Sequence, residues 1–248
     1  YDKAISIFAP DGNLFQVQYA FEAVNRGSCT LAVRGKDSIV FAVEKKSVAK
    51  LQDPRTIRKV FQVDDHIWLT FAGLQADARV LVDKARLECQ SYRFQLEDAP
   101  TVEYIAKFIA GVQQSYTQKG GVRPFGISTF VIGFNQGGTA PQLFMTEPSG
   151  ALSEWKANVT GRSQKNVKEN LENSYPEEQK ELDALTTSAT VKMAIQALME
   201  VVETSKNMEV TVMTSDNKLR FLEDAEIDTV IQQVNKEKEE AEAKKKKC

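Results

Sequence analysis

The sequence predicts an α+β fold in which two stacked sheets are covered by helices on both outer sides. Helical and strand periods of the apolar residues separate clearly along the 248-residue chain. The strand segments fall in groups between pairs of helices, whereas a doubly wound fold would alternate single strands with single helices. Several strand segments are almost entirely apolar, which is typical of strands buried on both faces.

An amphipathic helix is predicted in front of the first strand. Its apolar residues recur at helical spacing at Leu14, Val17, Phe21 and Val24. Gly12 precedes this stripe, and Arg26-Gly27 follows it in the way that a helix end prefers.

A first group of strands follows this helix. Thr30–Val33 and Ser38–Val43 are separated by the turn residues Gly35-Lys36-Asp37, which predicts a hairpin. Ile67–Ala72 is nearly all apolar and is predicted to be a buried strand. Two long helices come next, with apolar stripes from Leu74 to Tyr92 and from Val102 to Tyr116.

The second half of the chain repeats this order of strands and then helices. Strands are predicted at Ile127–Phe134, Pro141–Thr146, Leu152–Ala157 and Met208–Met213. Helices are predicted around Val167 and Leu171, from Ala184 to Thr204, and from Glu223 onward. In Met208–Met213, Glu209 and Thr211 alternate with apolar residues, so one face of this strand is expected to be solvated.

Composition restricts the possible classes of protein. A net charge of −2 provides no general attraction to nucleic acid or membranes. No apolar run approaches the ~20 residues of a membrane span, and the start has no secretory pattern. No linker or internal repeat divides the chain, so a single domain is the simplest organisation.

Cysteine and histidine usage predicts neither a metal site nor a cofactor. Cys29, Cys89 and Cys248 are far apart, which argues against a disulfide framework or zinc site and favours reducing, intracellular conditions. Cys29 and Cys89 are expected to be small buried residues. His66 is the sole histidine, and we expect it to be structural or exposed.

Short motifs along the chain carry a family resemblance. They are the opening Tyr1–Ala23, Arg26–Thr30, Val43–Lys46, Phe71–Leu74, Ala76–Arg79 and Arg123–Gly126. Over almost its whole length the chain resembles proteasome alpha-type subunits. The block Lys45–Asp53 and the charged C-terminal helix are most similar to one paralogue of that family.

The resemblance implies a fold and a division of the chain. The fold is the four-layer αββα sandwich of N-terminal-nucleophile hydrolases with an N-terminal extension helix. Residues 1–26 would form a gate segment and helix packed on the domain, and residues 27–236 the sandwich. Residues 237–248 would be a charged tail. For its basic end, Lys244–Lys247, a solvated tail is favoured, with a nuclear-localisation signal as the alternative.

The resemblance also places a site like that of the catalytic beta-type relatives. Those subunits use a threonine at the start of the first strand, its free amine, an acid and a lysine. The matching residues are Ser28, Glu44 and Lys59. Because Ser28 follows an intact peptide bond, we expect no catalytic residue. The alternative is an autonomous N-terminal-nucleophile hydrolase activated by cleavage before Ser28.

The gate residues implied by the family are Tyr1, Asp2, Lys3, Pro10 and Tyr19. Lys3 stands where the family has arginine, and Gln18 where it has glutamate, so the salt bridges of the gate are expected to differ. A frayed terminus is the alternative interpretation of Tyr1–Lys3.

A pocket for the C-terminal tails of regulatory particles is implied at Lys59, Gly73 and Leu74. A terminal carboxylate would be attracted by an ammonium and by the amides at a helix start. Taken alone, these residues would be a solvated lysine and a helix-entry glycine. For Arg123–Gly126, a subunit contact and a rigid turn are both open.

The predicted function is therefore a non-catalytic ring subunit. Its expected partners are other alpha subunits in a seven-membered ring, beta subunits, and regulatory particles, with no nucleic acid or membrane and no cofactor. It is expected in the cytoplasm and nucleus, with the stripe from Leu14 to Val24 buried against neighbours. A coiled-coil or RNA-binding adaptor is disfavoured because Ile227, Ile231 and Val234 fall short of three heptads.

Overall fold

A computed structural model describes residues 7–45, 51–53, 58–138, 140–176 and 185–245. Within these ranges the strands are β1 (Thr30–Arg34), β2 (Ser38–Glu44), β3 (Val60–Asp64), β4 (Ile67–Gly73), β5 (Ile127–Phe134), β6 (Pro141–Thr146), β7 (Leu152–Glu154), β8 (Ala157–Thr160), β9 (Met208–Thr214) and β10 (Leu219–Phe221). The helices are α1 (Phe15–Asn25), α2 (Gln75–Leu96), α3 (Val102–Gln118), α4 (Gln164–Ser174), α5 (Thr187–Leu198) and α6 (Asp224–Lys245).

The strands form two five-stranded sheets in which neighbours are antiparallel. The first sheet has the order β10-β9-β2-β1-β8, and the second has the order β3-β4-β5-β6-β7. In the first sheet Thr30 is paired with Val43 on one side and with Thr160 on the other. The first strand is therefore internal to its sheet, and both of its edges are occupied.

Three apolar layers hold the sandwich together. One lies between the first sheet and helices α4, α5 and α6, and another between the second sheet and helices α2 and α3. The third lies between the two sheets and contains the fully buried rings of Phe41, Phe130 and Phe134. This arrangement confirms the predicted αββα order of layers.

Helix α1 packs on the end of the second sheet through close backbone contact. Its residues Val17, Ala20 and Val24 are buried. A Cβ at Gly27 would lie only 2.4 Å from the amide nitrogen of Gly73, so only glycine fits there. Part of the apolar stripe expected to be buried against neighbours is therefore already buried within this chain, whereas Leu14 and Phe21 remain half-buried.

The predicted β5 and β6 have the observed bounds, but other elements differ. Strands β3 and β10 were not predicted, and the single strand expected at Leu152–Ala157 is the pair β7 and β8. Helix α5 ends at Leu198, earlier than the predicted Thr204.

The prediction of a solvated face on β9 was wrong. Glu209 and Thr211 are only 7% and 1% exposed. The reason is that β9 lies between β2 and β10 in a sheet whose inner face meets the second sheet. Along β9, the apolar residues that alternate with Glu209 and Thr211 therefore face the layer under the helices, and these two polar residues face the layer between the two sheets.

Candidate functional site

Ser28 is enclosed in a tightly packed backbone corner between α1 and β1. Its side chain is buried, and the preceding Gly27 donates its N–H to the Val24 carbonyl at 2.8 Å and accepts from the Arg162 N–H at 2.9 Å. A Cβ at Gly161, whose φ is +99°, would lie 2.7 Å from the Ser28 carbonyl oxygen. The nitrogen of Ser28 is an amide here, and an amide cannot take a proton from the hydroxyl.

Lys59 points its ammonium at this corner. The Nζ donates a short hydrogen bond to the Ser28 hydroxyl and lies 3.4 Å from the Ser28 carbonyl oxygen. It also lies 5.5 Å from the centre of the Phe71 ring, a cation–π distance. A half-buried lysine is thus fixed directly in front of β1.

Glu44 holds the next residue of β1 in place. Its Oε2 accepts the backbone N–H of Cys29 at 2.8 Å. Arg162 donates its Nε to the same oxygen at 2.8 Å and its Nη2 to Oε1. The structure therefore brings together Ser28, Glu44 and Lys59, the residues matched to the nucleophile, the acid and the lysine. The carboxylate of Glu44, however, is already paired with Arg162.

The predicted pocket residues meet on both sides of the Gly27–Ser28 peptide. Lys59 contacts Ser28, and Gly73 packs against Gly27. Leu74 is 46% exposed and precedes α2, without a side-chain cap on the helix. The Leu74 amide donates to the Gly126 carbonyl at 3.0 Å, so this N–H, expected to be available to an anion, is already used.

The loop from Arg123 to Gly126 is fixed to the first turn of α2. Arg123 donates to both carboxylate oxygens of Asp77 at 2.7 and 2.8 Å, and the Gly126 N–H donates to one of them at 3.0 Å. Burial acts to raise the pKa of Asp77, but these hydrogen bonds outweigh it and hold the pKa below 3.8. This geometry is that of a rigid turn, and the subunit contact stays a prediction.

Of the gate residues, Pro10 and Tyr19 lie in the described part of the chain, whereas Tyr1, Asp2 and Lys3 lie outside it. Pro10 is in a turn closed by the Gly12 N–H donating to the Ala9 carbonyl at 2.8 Å. Tyr19 is 50% exposed on α1 and stacks on Phe15 with ring centres 6.3 Å apart. Both residues are accessible to a neighbouring molecule.

The remaining candidates for chemistry are structural. His66 is buried, and its Nε2 lies 2.8 Å from the Pro100 carbonyl oxygen. Burial raises the pKa of both Cys29 and Cys89 to about 12, with a further contribution from Glu44 and Asp64 respectively. In the described ranges, no group of three or more His, Cys, Asp or Glu side chains could hold a metal ion. No described helix is both long enough and apolar enough to cross a membrane.

Cavities open beside the first sheet in the described part of the chain. One of about 480 Å³ opens beside the Glu44–Arg162 pair and is also lined by Lys45 and Asn207. Another of about 960 Å³ lies between α5, α6 and the β9–β10 hairpin. Of the predicted gate and pocket residues that the structure describes, none lines either cavity.

The arginines that hold the carboxylates of the site have no local signal in the sequence. Arg162 is 118 residues from Glu44, and Arg123 is 46 residues from Asp77. The match at Ala76–Arg79 included Asp77 but assigned it no partner. Only a three-dimensional arrangement could reveal these pairs, because no local spacing connects them.

The comparisons with known proteins agree with this geometry. The family model described as Proteasome subunit matches residues 24–213, and the model for the N-terminal signature of A-type proteasome subunits matches residues 1–23. The chain is 55% identical to Proteasome subunit alpha type-7 of Cicer arietinum, over 99% of this chain and 96% of that protein. It is 54% identical to Proteasome subunit alpha type-7 of Dictyostelium discoideum, over 96% and 93%. It is 50% identical to Proteasome subunit alpha type-7-like of Macaca fascicularis, over 100% and 97%.

The family match covers the sandwich, and the signature match covers the segment that precedes Ser28 and keeps its nitrogen in an amide. The chain therefore belongs to the proteasome subunit family, as an alpha-type member that forms the ring of the 20S core with other alpha and beta subunits and has a structural, non-catalytic part in it.

Proposed function

We propose that this chain is the alpha type-7 subunit at the fourth position of the alpha ring, where it gates substrate entry and receives the tails of regulatory particles. The names and the 50–55% identity of its relatives support this paralogue. We further propose the division into a gate segment at 1–26, a sandwich at 27–236 and a tail at 237–248. Its proposed location is the cytoplasm and nucleus.

The observation that carries the proposal is the convergence of Lys59 and Gly73 on the Gly27–Ser28 peptide. The same corner joins α1, which leads to the gate, to the start of α2. A carboxylate beside Lys59 would gain a charge-assisted hydrogen bond. The exposed Leu74 would provide apolar contact for the residues before that carboxylate.

The proposed gate consists of Tyr1, Asp2, Lys3, Pro10 and Tyr19. The turn at Pro10 sets the direction in which the chain leaves α1 toward its start, since proline restricts φ. The exposed phenol of Tyr19 can donate a hydrogen bond to a neighbouring subunit. These features support a role in holding the N-terminal segment, with neighbouring copies as partners.

A test uses the 20S particle assembled by co-expression with partner subunits and checked by native mass spectrometry. Hydrolysis of a fluorogenic peptide is measured with and without a regulatory particle. We expect Lys59→Met and Tyr19→Phe to reduce the stimulation by the regulatory particle, whereas the matched change Lys36→Met in the exposed β1–β2 turn leaves it unchanged. Equal stimulation in all four particles would contradict both the pocket and the gate.

A further inference from the structure

We infer that Ser28, at the position of the nucleophile in catalytic relatives, is a positioning residue that holds the Lys59 ammonium ready for a peptide carboxylate. This inference rests on the proposed pocket and adds a residue to it. Lys59 would bind the carboxylate, and Ser28 would act through Lys59.

The contacts of Lys59 support this role. Its Nζ donates to the Ser28 hydroxyl and lies 3.4 Å from the Ser28 carbonyl oxygen, with the Phe71 ring on another side. A free lysine side chain loses rotamer entropy when it is fixed. Fixing the ammonium before a ligand arrives removes this cost from binding.

Ser28 can serve as an anchor because its own backbone is held on both sides. The Gly27 carbonyl accepts from the Arg162 N–H at 2.9 Å, and the Cys29 N–H donates to Glu44 at 2.8 Å. The backbone of Gly161 is packed so closely on the Ser28 carbonyl that a Cβ there would lie 2.7 Å away. Because the backbone of Ser28 is fixed, only the χ1 torsion of its side chain changes the position of the hydroxyl oxygen. This position determines where the Lys59 ammonium is held.

A buried carboxylate, Glu209, also lies within electrostatic range of Lys59. Glu209 is 7% exposed, and its Oε1 has no hydrogen-bond partner among the described residues. Burial raises the pKa of Glu209, and the positive charges of Lys45, Arg58 and Lys59 oppose that rise.

The experiment uses particles assembled with the full chain and a synthetic peptide that has apolar C-terminal residues, a photoreactive group and a free C-terminal carboxylate. Crosslinks to this chain are quantified by mass spectrometry against peptide concentration, and crosslinks to the other alpha subunits serve as an internal reference. We expect Ser28→Ala to weaken binding about three- to tenfold, the effect of one ordinary hydrogen bond, because Ser28 acts on the ligand only through Lys59. Ser28→Thr keeps the hydroxyl and should restore binding.

Two controls separate positioning from structural damage. Ser38→Ala removes another buried hydroxyl of the same sheet, one that has no hydrogen-bond partner among the described residues, and should leave binding unchanged. The same peptide with a C-terminal amide should bind weakly and equally to the Ser28→Ala and unmodified particles. If Ser28→Ala does not assemble, Ser28→Cys keeps the size, replaces the hydroxyl by a weak acceptor, and is expected to weaken binding in the same way.

The outcomes distinguish the two proposals. Unchanged binding in Lys59→Met particles would overturn the pocket itself. Loss of binding in Lys59→Met with unchanged binding in Ser28→Ala would leave the pocket standing and overturn the role of Ser28. Equal weakening by Ser28→Ala and Ser28→Thr would also overturn it, because the hydroxyl would then not be the cause.

Discussion

Arg162, in the turn before α4, forms a two-point ion pair with Glu44 at the end of β2. Its Nε donates to Oε2 at 2.8 Å, and its Nη2 donates to Oε1. The carboxylate is 8% exposed, whereas the arginine side chain is 51% exposed. In this corner, therefore, a partly solvated cation balances a buried anion that also holds the first strand.

Removing this cation should destabilise the chain. Arg162→Ala leaves the buried Glu44 carboxylate with the Cys29 N–H as its remaining described hydrogen-bond donor. We expect a loss of about 1–3 kcal/mol, less than for a fully buried pair because Arg162 is half exposed. The matched change Arg220→Ala breaks a pair whose two side chains are 67% and 40% exposed, and should cost clearly less stability because solvent screens this pair. Urea unfolding measures both, and equal losses would contradict the structural importance of the Glu44 pair.

The Asp77–Arg123 pair should make stability depend on pH in the acidic range. The pKa of Asp77 in the folded chain is below 3.8, the value of a free aspartate, so the folded carboxylate binds its proton less readily. Its contribution is fully present above about pH 4 and is lost as the pH falls through the folded value. Asp77→Asn should therefore lower the free energy of unfolding at neutral pH by about 1–2 kcal/mol. The thermal midpoint should fall accordingly.

The difference between Asp77→Asn and the unmodified chain should shrink as the pH falls below 3.8. Thermal unfolding of both chains across this range provides the check. A difference that stays constant at every pH would show that the charge of Asp77 is not the stabilising feature.

Gly73 and Gly111 should respond in opposite ways to alanine. At Gly73, φ is +119° and a Cβ would lie 2.1 Å from the Gly126 carbonyl oxygen, so Gly73→Ala should cost roughly 3 kcal/mol or more. At Gly111, within α3, nothing lies within 4 Å of such a Cβ. Gly111→Ala should stabilise the chain by about 0.5–1 kcal/mol, the difference in helix propensity. Thermal midpoints test this pair, and a tolerated Gly73→Ala would disprove the backbone contact.

Cys29 and Cys89 should not react with alkylating reagents while the chain is folded. Both are fully buried, and their pKa of about 12 leaves almost no thiolate at neutral pH. Iodoacetamide labelling followed by peptide mass spectrometry should modify them only after denaturation. The same two peptides from the guanidinium-unfolded chain are the control, and rapid labelling of either one in the native chain would contradict the packing.

The elements that could be predicted are those whose side chains show one dominant period. β5 and β6 are apolar and end at glycine or proline turns, so their bounds follow directly from the sequence. β10 has three residues at a sheet edge, and its Arg220 interrupts the apolar pattern, so no local signal identifies it. Its existence depends on pairing with β9, which is a tertiary interaction.

The site shows the same limit. The resemblance indicated Ser28, Glu44 and Lys59, and the structure brings them together. It could not indicate Arg162 as the partner of Glu44, because the two residues meet only after β8 has paired with β1. Nor did alternation along β9 show that Glu209 is buried, since that depends on the second sheet.

The strand order has a consequence for how this chain is made on the ribosome. The second sheet consists of consecutive strands, so it can assemble as residues 60–154 emerge. The first sheet cannot close until β8, β9 and β10 have been synthesised, because they flank the early β1–β2 hairpin. At about 5–20 residues per second, the nascent hairpin spends many seconds with both edges open. Translation itself therefore leaves two aggregation-prone edges exposed, and chaperones that cover strand edges would be needed most during that interval.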